Sequence, residues 1–253
     1  MRYQHFGKTD LTVSEIGFGC AGIGGLFQAS RREQVSLLRQ ALDDGITFYD
    51  TADMYAQGQS ERMLGEAFRS NRDEVIIASK VGYLFASRLK QQGKIRYWGM
   101  ACDEPEHALP SLQLPGIASI QVSLSLLHPE ALDVVIPRAS ERGVGVIARQ
   151  VFASGLLTKA AEGLKASASV DDARRAAIDT LRGLATERGL SLPELALDFA
   201  IAQKGVSVTL LGMHAQHHLA ENRGYLKRLS REPSRPPSSS TTPTGDGSGR
   251  RSC

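Results

Sequence analysis

The chain holds 253 residues, 42% hydrophobic, 23% charged and 6% aromatic, with a formal charge of +3. That length can bury a substantial core, while so small and dispersed an excess of Lys and Arg gives no footprint for nucleic acid or an acidic membrane. Cys20, Cys102 and Cys253 are few and far apart, which speaks against a disulfide framework or a four-cysteine zinc site. No apolar run reaches the ~18 residues of a membrane span, and Met1-Arg2-Tyr3-Gln4-His5 has no signal-peptide core, so a cytoplasmic protein is expected.

Short apolar segments recur along the chain: Glu15–Gly19, Ile46–Asp50, Val75–Lys80, Ile95–Gly99, Ser119–Ser123, Val144–Ala148 and Val206–Leu211. Most are apolar or β-branched throughout rather than alternating, the pattern of buried parallel strands. Between the first two, Val35, Leu38 and Leu42 fall at i, i+3, i+7, and Gly45 supplies a stop. Ser191-Leu192-Pro193-Glu194 reads as a capping box opening a helix through Leu195, Leu197, Phe199 and Ala200. Alternating strands and helices argue for an α/β fold with a parallel sheet, and the even repetition favours a (β/α) TIM-type barrel. Gly17-Phe18-Gly19-Cys20-Ala21-Gly22 fits G-x-G-x-x-G but runs into Ile23-Gly24-Gly25 rather than an amphipathic helix, so a Rossmann turn is not expected.

The spacing predicts an incomplete barrel. Eight strands are needed at about 30 residues per strand–helix unit, yet seven are recognisable. The connection Val81–Lys94 holds only 14 residues, enough for one brief helix over Phe85–Gln92 ended by Gly93. A barrel over 1–230 with an internal deletion near 83–89 is expected, followed by a disordered Pro- and Ser-rich tail over 231–253.

Two places carry chemistry. Asp50 closes the second strand, with Tyr55 five residues on, and Lys80 closes the third. In a parallel barrel these strand ends open on one face. There an ammonium favours phenolate and a carboxylate holds the ammonium, an arrangement suited to proton transfer to a carbonyl oxygen. A structural Asp–Lys pair beside an ordinary Tyr is the plainer reading of any one of the three, and their joint placement outweighs it.

At this point the sequence resembles the aldo-keto reductases. The resemblance is carried by Leu11-Thr12-Val13-Ser14-Glu15-Ile16-Gly17-Phe18-Gly19, Phe48-Tyr49-Asp50-Thr51-Ala52-Asp53-Met54-Tyr55, Ser60-Glu61-Arg62-Met63-Leu64-Gly65, Gly93-Lys94-Ile95-Arg96-Tyr97-Trp98-Gly99, and Leu211-Gly212-Met213 through Leu219-Ala220-Glu221-Asn222. It implies a (β/α)8 barrel that reduces a small-molecule aldehyde or ketone reversibly with NADPH. Tyr55 would be the general acid, Lys80 its tuning cation and Asp50 the lysine's partner. The family's catalytic His stands at the end of strand four, which is the unit missing here, and none of His5, His107, His128, His214, His217 and His218 occupies its place. Impaired turnover is therefore expected, with a catalytically weak or inactive nucleotide-binding protein as the alternative.

The resemblance further implies cofactor contacts from Gln121 to the nicotinamide carboxamide, from Arg149 to the ring face, from Gly212 and Met213 to the adenosine phosphates, from His218 to a 2′-phosphate, and from Glu221 and Asn222 to adenine. Ala101 and Cys102 replace the family's carboxamide-binding Ser and Asn. An imidazole at 218, where some members have Arg, leaves NADH possible beside NADPH. His214, His217 and His218 at i, i+3, i+4 could share a helix face toward zinc, but no acidic or cysteine fourth ligand stands close, and no metal is expected. The oligomeric state and the substrate's identity are not legible.

Overall fold

The computed structural model describes residues 1–25, 29–81, 83–158 and 171–229; the expected tail over 231–253 lies outside them. The chain opens with an antiparallel hairpin of β1 (Tyr3–His5) and β2 (Thr12–Ser14). Seven parallel strands follow: β3 (Ile16–Gly19), β4 (Phe48–Asp50), β5 (Ile76–Ala78), β6 (Gly99–Ala101), β7 (Ser119–Ser123), β8 (Gly145–Arg149) and β9 (Val206–Gly212). Their order in the sheet is β5-β4-β3-β9-β8-β7-β6. The first and last strands, β3 and β9, are therefore paired neighbours, as in a closed barrel, whereas β5 and β6 end the sheet without pairing to each other. An incomplete (β/α) barrel is what the sequence predicts, and the opening falls in the connection that is too short.

Helices α1 (Arg31–Asp43), α2 (Gln59–Ala67), α3 (Tyr83–Gln91), α4 (Pro105–Ser111), α5 (Val135–Arg142), α6 (Asp172–Glu187), α7 (Leu192–Ile201) and α8 (Gln216–Leu229) lie between the strands and after β9. α1 starts at a capping box in which Glu33 N–H donates to Ser30 Oγ and Glu33 Oε2 accepts from Ser30 N–H. It ends before Gly45, whose φ of +92° suits glycine. α7 carries the expected box of Ser191 and Glu194. The short helix α3 covers Tyr83–Gln91, close to its expected span.

The core has an outer and an inner part. Outside the sheet, Phe18, Tyr49, Leu37, Leu38, Leu64 and Phe68 pack one side of the molecule, and Ile120, Val122, Leu124, Val135, Ile136 and Val146 pack the other. A third cluster joins Phe48, Ile147, Val208 and Leu210 to Phe6, Leu11 and Val13 from the hairpin. The hairpin thus caps the sheet at the N-terminal strand ends. Gln4 Nε2 donates to the carbonyls of Val206 and Ser207 at 3.1 and 2.7 Å, and Lys8 N–H donates to Gly143 O. A side chain at Gly7 would lie 2.6 Å from the Gly143 carbonyl, so only glycine permits this approach. Gly17 faces the inner cluster, where a Cβ would lie 2.6 Å from Leu210.

The hairpin was not anticipated, because β1 is exposed along its length and shows no apolar pattern. The fourth strand is Gly99–Ala101, not Ile95–Gly99. Trp98 O already accepts from Ala118 N–H, but the Tyr97 hydroxyl donates to Asp10 at 2.8 Å, and the ladder with β7 starts only at Gly99↔Ser119.

Candidate active site

Register places Gly19, Asp50 and Ala78 side by side, with Gly212 beside Gly19. This is the C-terminal rim of the sheet. Asp50 ends β4 with its carboxylate largely buried, and Lys80 follows two residues after β5. Lys80 Nζ donates to Asp50 Oδ1 and to Thr51 O, each at 2.9 Å. The same ammonium lies 5.0 Å from the centre of the Tyr55 ring. The three residues singled out from sequence are therefore brought together at one rim. The ammonium is attracted to the ring face while the carboxylate holds it in place.

The opposite wall contributes Gln121 from β7. Its buried amide Nε2 donates to Asp50 Oδ2 at 2.9 Å. Arg149, at the end of β8, donates to Cys102 O at 3.2 Å and pairs with Asp103. Its guanidinium is thus drawn toward the loop after β6. Ala101 is exposed at the end of β6, while Cys102 is buried with its thiol 3.8 Å from Ser111 Oγ.

Backbone strain concentrates at this rim. Among the described residues, the non-glycine positions with positive φ are Ala56, Gln57, Gln150, Ala153 and Ser154. All lie in the loops after β4 and β8: Ala56 and Gln57 directly after Tyr55, Gln150 directly after Arg149, and Ala153 and Ser154 a few residues further on. Such conformations cost about 1–3 kcal/mol each and gather where a loop must hold a functional geometry. Composition gave no warning of them. Apolar surface collects here too, since Met54, Val81 and Phe85 are all exposed, the first two adjoining Tyr55 and Lys80 in sequence.

The segment after β9 is less uniform. Gly212 is exposed, whereas Met213 is buried as a whole residue, 1% exposed, and belongs to the outer core. Asn222 is buried on α8 and Glu221 is exposed. The ring centre of His218 lies 4.2 Å from that of His214 and 4.1 Å from that of His217. Burial, reinforced by the neighbouring imidazoles, holds His218 below the usual histidine range, and burial does the same to His214. His218 Nδ1 is buried without a hydrogen-bond partner. Among the described residues, no group of three or more His, Cys, Asp or Glu is placed to hold a metal ion. His128 stands apart, beside Arg174 and Glu130. Cys20 is buried, and desolvation together with Asp50 pushes its thiol well up, which makes it a poor nucleophile.

The sequence matches the profile of the Aldo/keto reductase family over residues 15–87 and 82–233. The chain belongs to this family. An uncharacterized oxidoreductase of Bacillus subtilis (strain 168), YqkF, is 26% identical to this aldo/keto reductase over 288 aligned positions, covering 88% of this chain and 90% of that protein. An alignment longer than the chain's own 253 residues includes stretches of the relative that have no counterpart here. Of solved structures, aldo-keto reductase AKR11C1 from Bacillus halodurans in its holo form shares 26% identity at a TM-score of 0.79, covering 90% of this chain and 91% of that one. An aldo/keto reductase from Klebsiella pneumoniae in complex with NADP and acetate shares the fold, with 23% identity, a TM-score of 0.68 and coverage of 89% and 93%. The two stretches that match the family profile meet at 82–87, in the connection where the sheet is open.

Proposed function

We propose that this aldo/keto reductase binds NADPH and reduces an aldehyde or ketone of a small molecule to the alcohol, reversibly and at reduced efficiency. The observation that carries this is the single ammonium of Lys80, held by Asp50 and lying over the Tyr55 ring. Tyr55 would protonate the carbonyl oxygen, Lys80 would stabilise the phenolate left behind, and Asp50 would fix the lysine. The nicotinamide, when bound, supplies the hydride.

The residues fit such a group in part. Gln121 has amide valences beyond its bond to Asp50, His218 Nδ1 is an orphaned buried atom, and the space where a Gly212 Cβ would stand is empty within 4 Å. Gln121 and Arg149 would hold the nicotinamide, the Gly212–Met213 backbone the phosphates, and His218, Glu221 and Asn222 the adenosine end. Ala101 and Cys102, whose thiol is turned toward Ser111 of α4, offer no side-chain clamp for the carboxamide, and an imidazole at 218 discriminates weakly between NADPH and NADH. A cytoplasmic location belongs to the same reading.

Reduced efficiency follows from the lost unit. A deletion near 83–89 removes strand four and with it the family's catalytic His, and a missing positioned acid–base group costs about 10²–10⁴ in rate. Purified protein should oxidise NADPH slowly with a panel of aldehydes, followed at the cofactor's absorbance. Tyr55→Phe should remove the reaction and leave NADPH affinity nearly unchanged. Equal turnover by Tyr55→Phe refutes the assignment of the acid. NADPH binding with no oxidation by any carbonyl assigns the chain to nucleotide binding without catalysis.

A further inference from the structure

We propose that the open side of the sheet is a docking slot for an extended segment of a partner protein. The segment enters between β5 and β6 as a parallel strand, with apolar residues at alternate positions. This binding is independent of the chemistry at the rim. A closed barrel of this type needs eight strands, whereas the sheet has seven, with β5 and β6 at its ends. A single strand is therefore the piece that closes it.

The backbone on both sides suits such a guest. Ile76 N–H donates to Thr47 O, and Thr51 N–H donates to Ala78 O, so Ile76 and Ala78 turn their amide groups toward β4. Successive residues of a strand point to opposite sides, which leaves the N–H and C=O of Ile77 aimed at the opening. On β6, Cys102 N–H donates to Gln121 O, and the same alternation aims the N–H and C=O of Ala101 at the opening. Among the described residues no strand pairs with either edge there. Ile76, Ala78 and Tyr97 pack against the inner cluster, so inward side chains of the guest meet apolar surface. Val81 and Phe85, on the connection between the two edges, are exposed apolar groups.

Two other occupants fit the slot less well. A strand lying between two edges needs both of its own sides free. Among the described residues every strand of this chain is already paired on at least one side, so a second copy can meet one edge but cannot fill the slot. Residues 231–253 of the chain itself include four prolines and no Val, Ile, Leu, Met or aromatic residue. Proline lacks the N–H that a central strand donates. What fits is strand addition by a segment of another protein, in which main-chain bonds supply affinity and alternate side chains supply selectivity.

The test uses the full-length protein and a fluorescently labelled synthetic peptide in which valine and threonine alternate, with a lysine at each blocked end. Ile76 and Ala78 combine inward side chains with amides turned to β4. By the same geometry, a parallel guest with its valines inward turns the valine amides to β5 and the threonine amides to β6. Two further peptides carry N-methyl groups on all valines or on all threonines, which removes one row of donors and leaves the other. The unmethylated peptide should bind in anisotropy, raise the thermal midpoint of unfolding and move the sedimentation profile toward monomer. Each methylated peptide should bind at least about tenfold more weakly, the effect of losing one or two hydrogen bonds. Ile77→Pro keeps the bonds that Ile76 and Ala78 make to β4, and should weaken the unmethylated peptide about tenfold. If that variant does not fold, the methylated peptides decide alone. Equal binding by all three peptides, or a loss confined to one methylated form, overturns insertion between two edges. Absence of binding overturns the proposal outright, and where the protein self-associates it assigns the edges to a second copy.

Discussion

The Lys80 ammonium stands 5.0 Å from the centre of the Tyr55 ring while bonded at 2.9 Å to both Asp50 and Thr51. The same ammonium thus touches both the Tyr55 ring and the Asp50 carboxylate. Replacing it with a neutral chain of similar length removes this positive charge. Lys80→Met should lower kcat for aldehyde reduction about 10²-fold. Steady-state NADPH oxidation checks this.

Gln57 is exposed and held at φ +55°. Glycine takes this conformation without the clash that a Cβ brings, although it adds freedom to the unfolded chain. Gln57→Gly should stabilise the fold by about 0.5–1 kcal/mol, measured by urea unfolding. Activity should not rise, since the loop that carries Tyr55 gains alternatives to its present shape.

Glu194 is fully buried, and its carboxylate takes hydrogen bonds from Ser191 and an ion pair from Arg228. Burial alone would raise its pKa, but hydrogen bonds from Ser191 and the Arg228 guanidinium hold it below the ordinary carboxylate value. A depressed folded value stabilises the fold above the unfolded value near 4.3, and the contribution is lost as pH falls through the folded value. Glu194→Gln should therefore be less stable than wild type at neutral pH, with the gap closing on acidification below about pH 4. Thermal unfolding measured from pH 7 to pH 3 reads this directly.

Among the described residues β5 and β6 are the end strands of the sheet, and sheet edges template pairing with other chains. Concentration-dependent self-association is expected in sedimentation velocity. Ala101→Lys, which puts a charge on an exposed position of β6, should shift the distribution toward monomer.

Much of the fold was legible because it rests on local signals. Val35, Leu38, Gly45 and the Ser191–Glu194 box each fix their helix within a turn or two of chain. Asp50, Tyr55 and Lys80 were legible as a set because strand ends in a parallel sheet share one rim. What stayed hidden depends on distant partners. The hairpin owes its place to Gly7 meeting Gly143 and to Gln4 meeting Val206. The Gln121–Asp50 bond spans 71 positions. Cys102 was readable as a departure from the expected Asn, but its inward turn toward Ser111 depends on packing under α4.

A cylinder lacking one stave is open along its length as well as at its mouth. β4 and β8 are almost wholly buried, while every residue of β5 and β6 retains some contact with solvent, and the Lys80 side chain keeps 33% of its surface. Solvent in contact with the Lys80 side chain screens part of its charge. Exposed Val81 and Phe85 belong to the short connection that spans this gap.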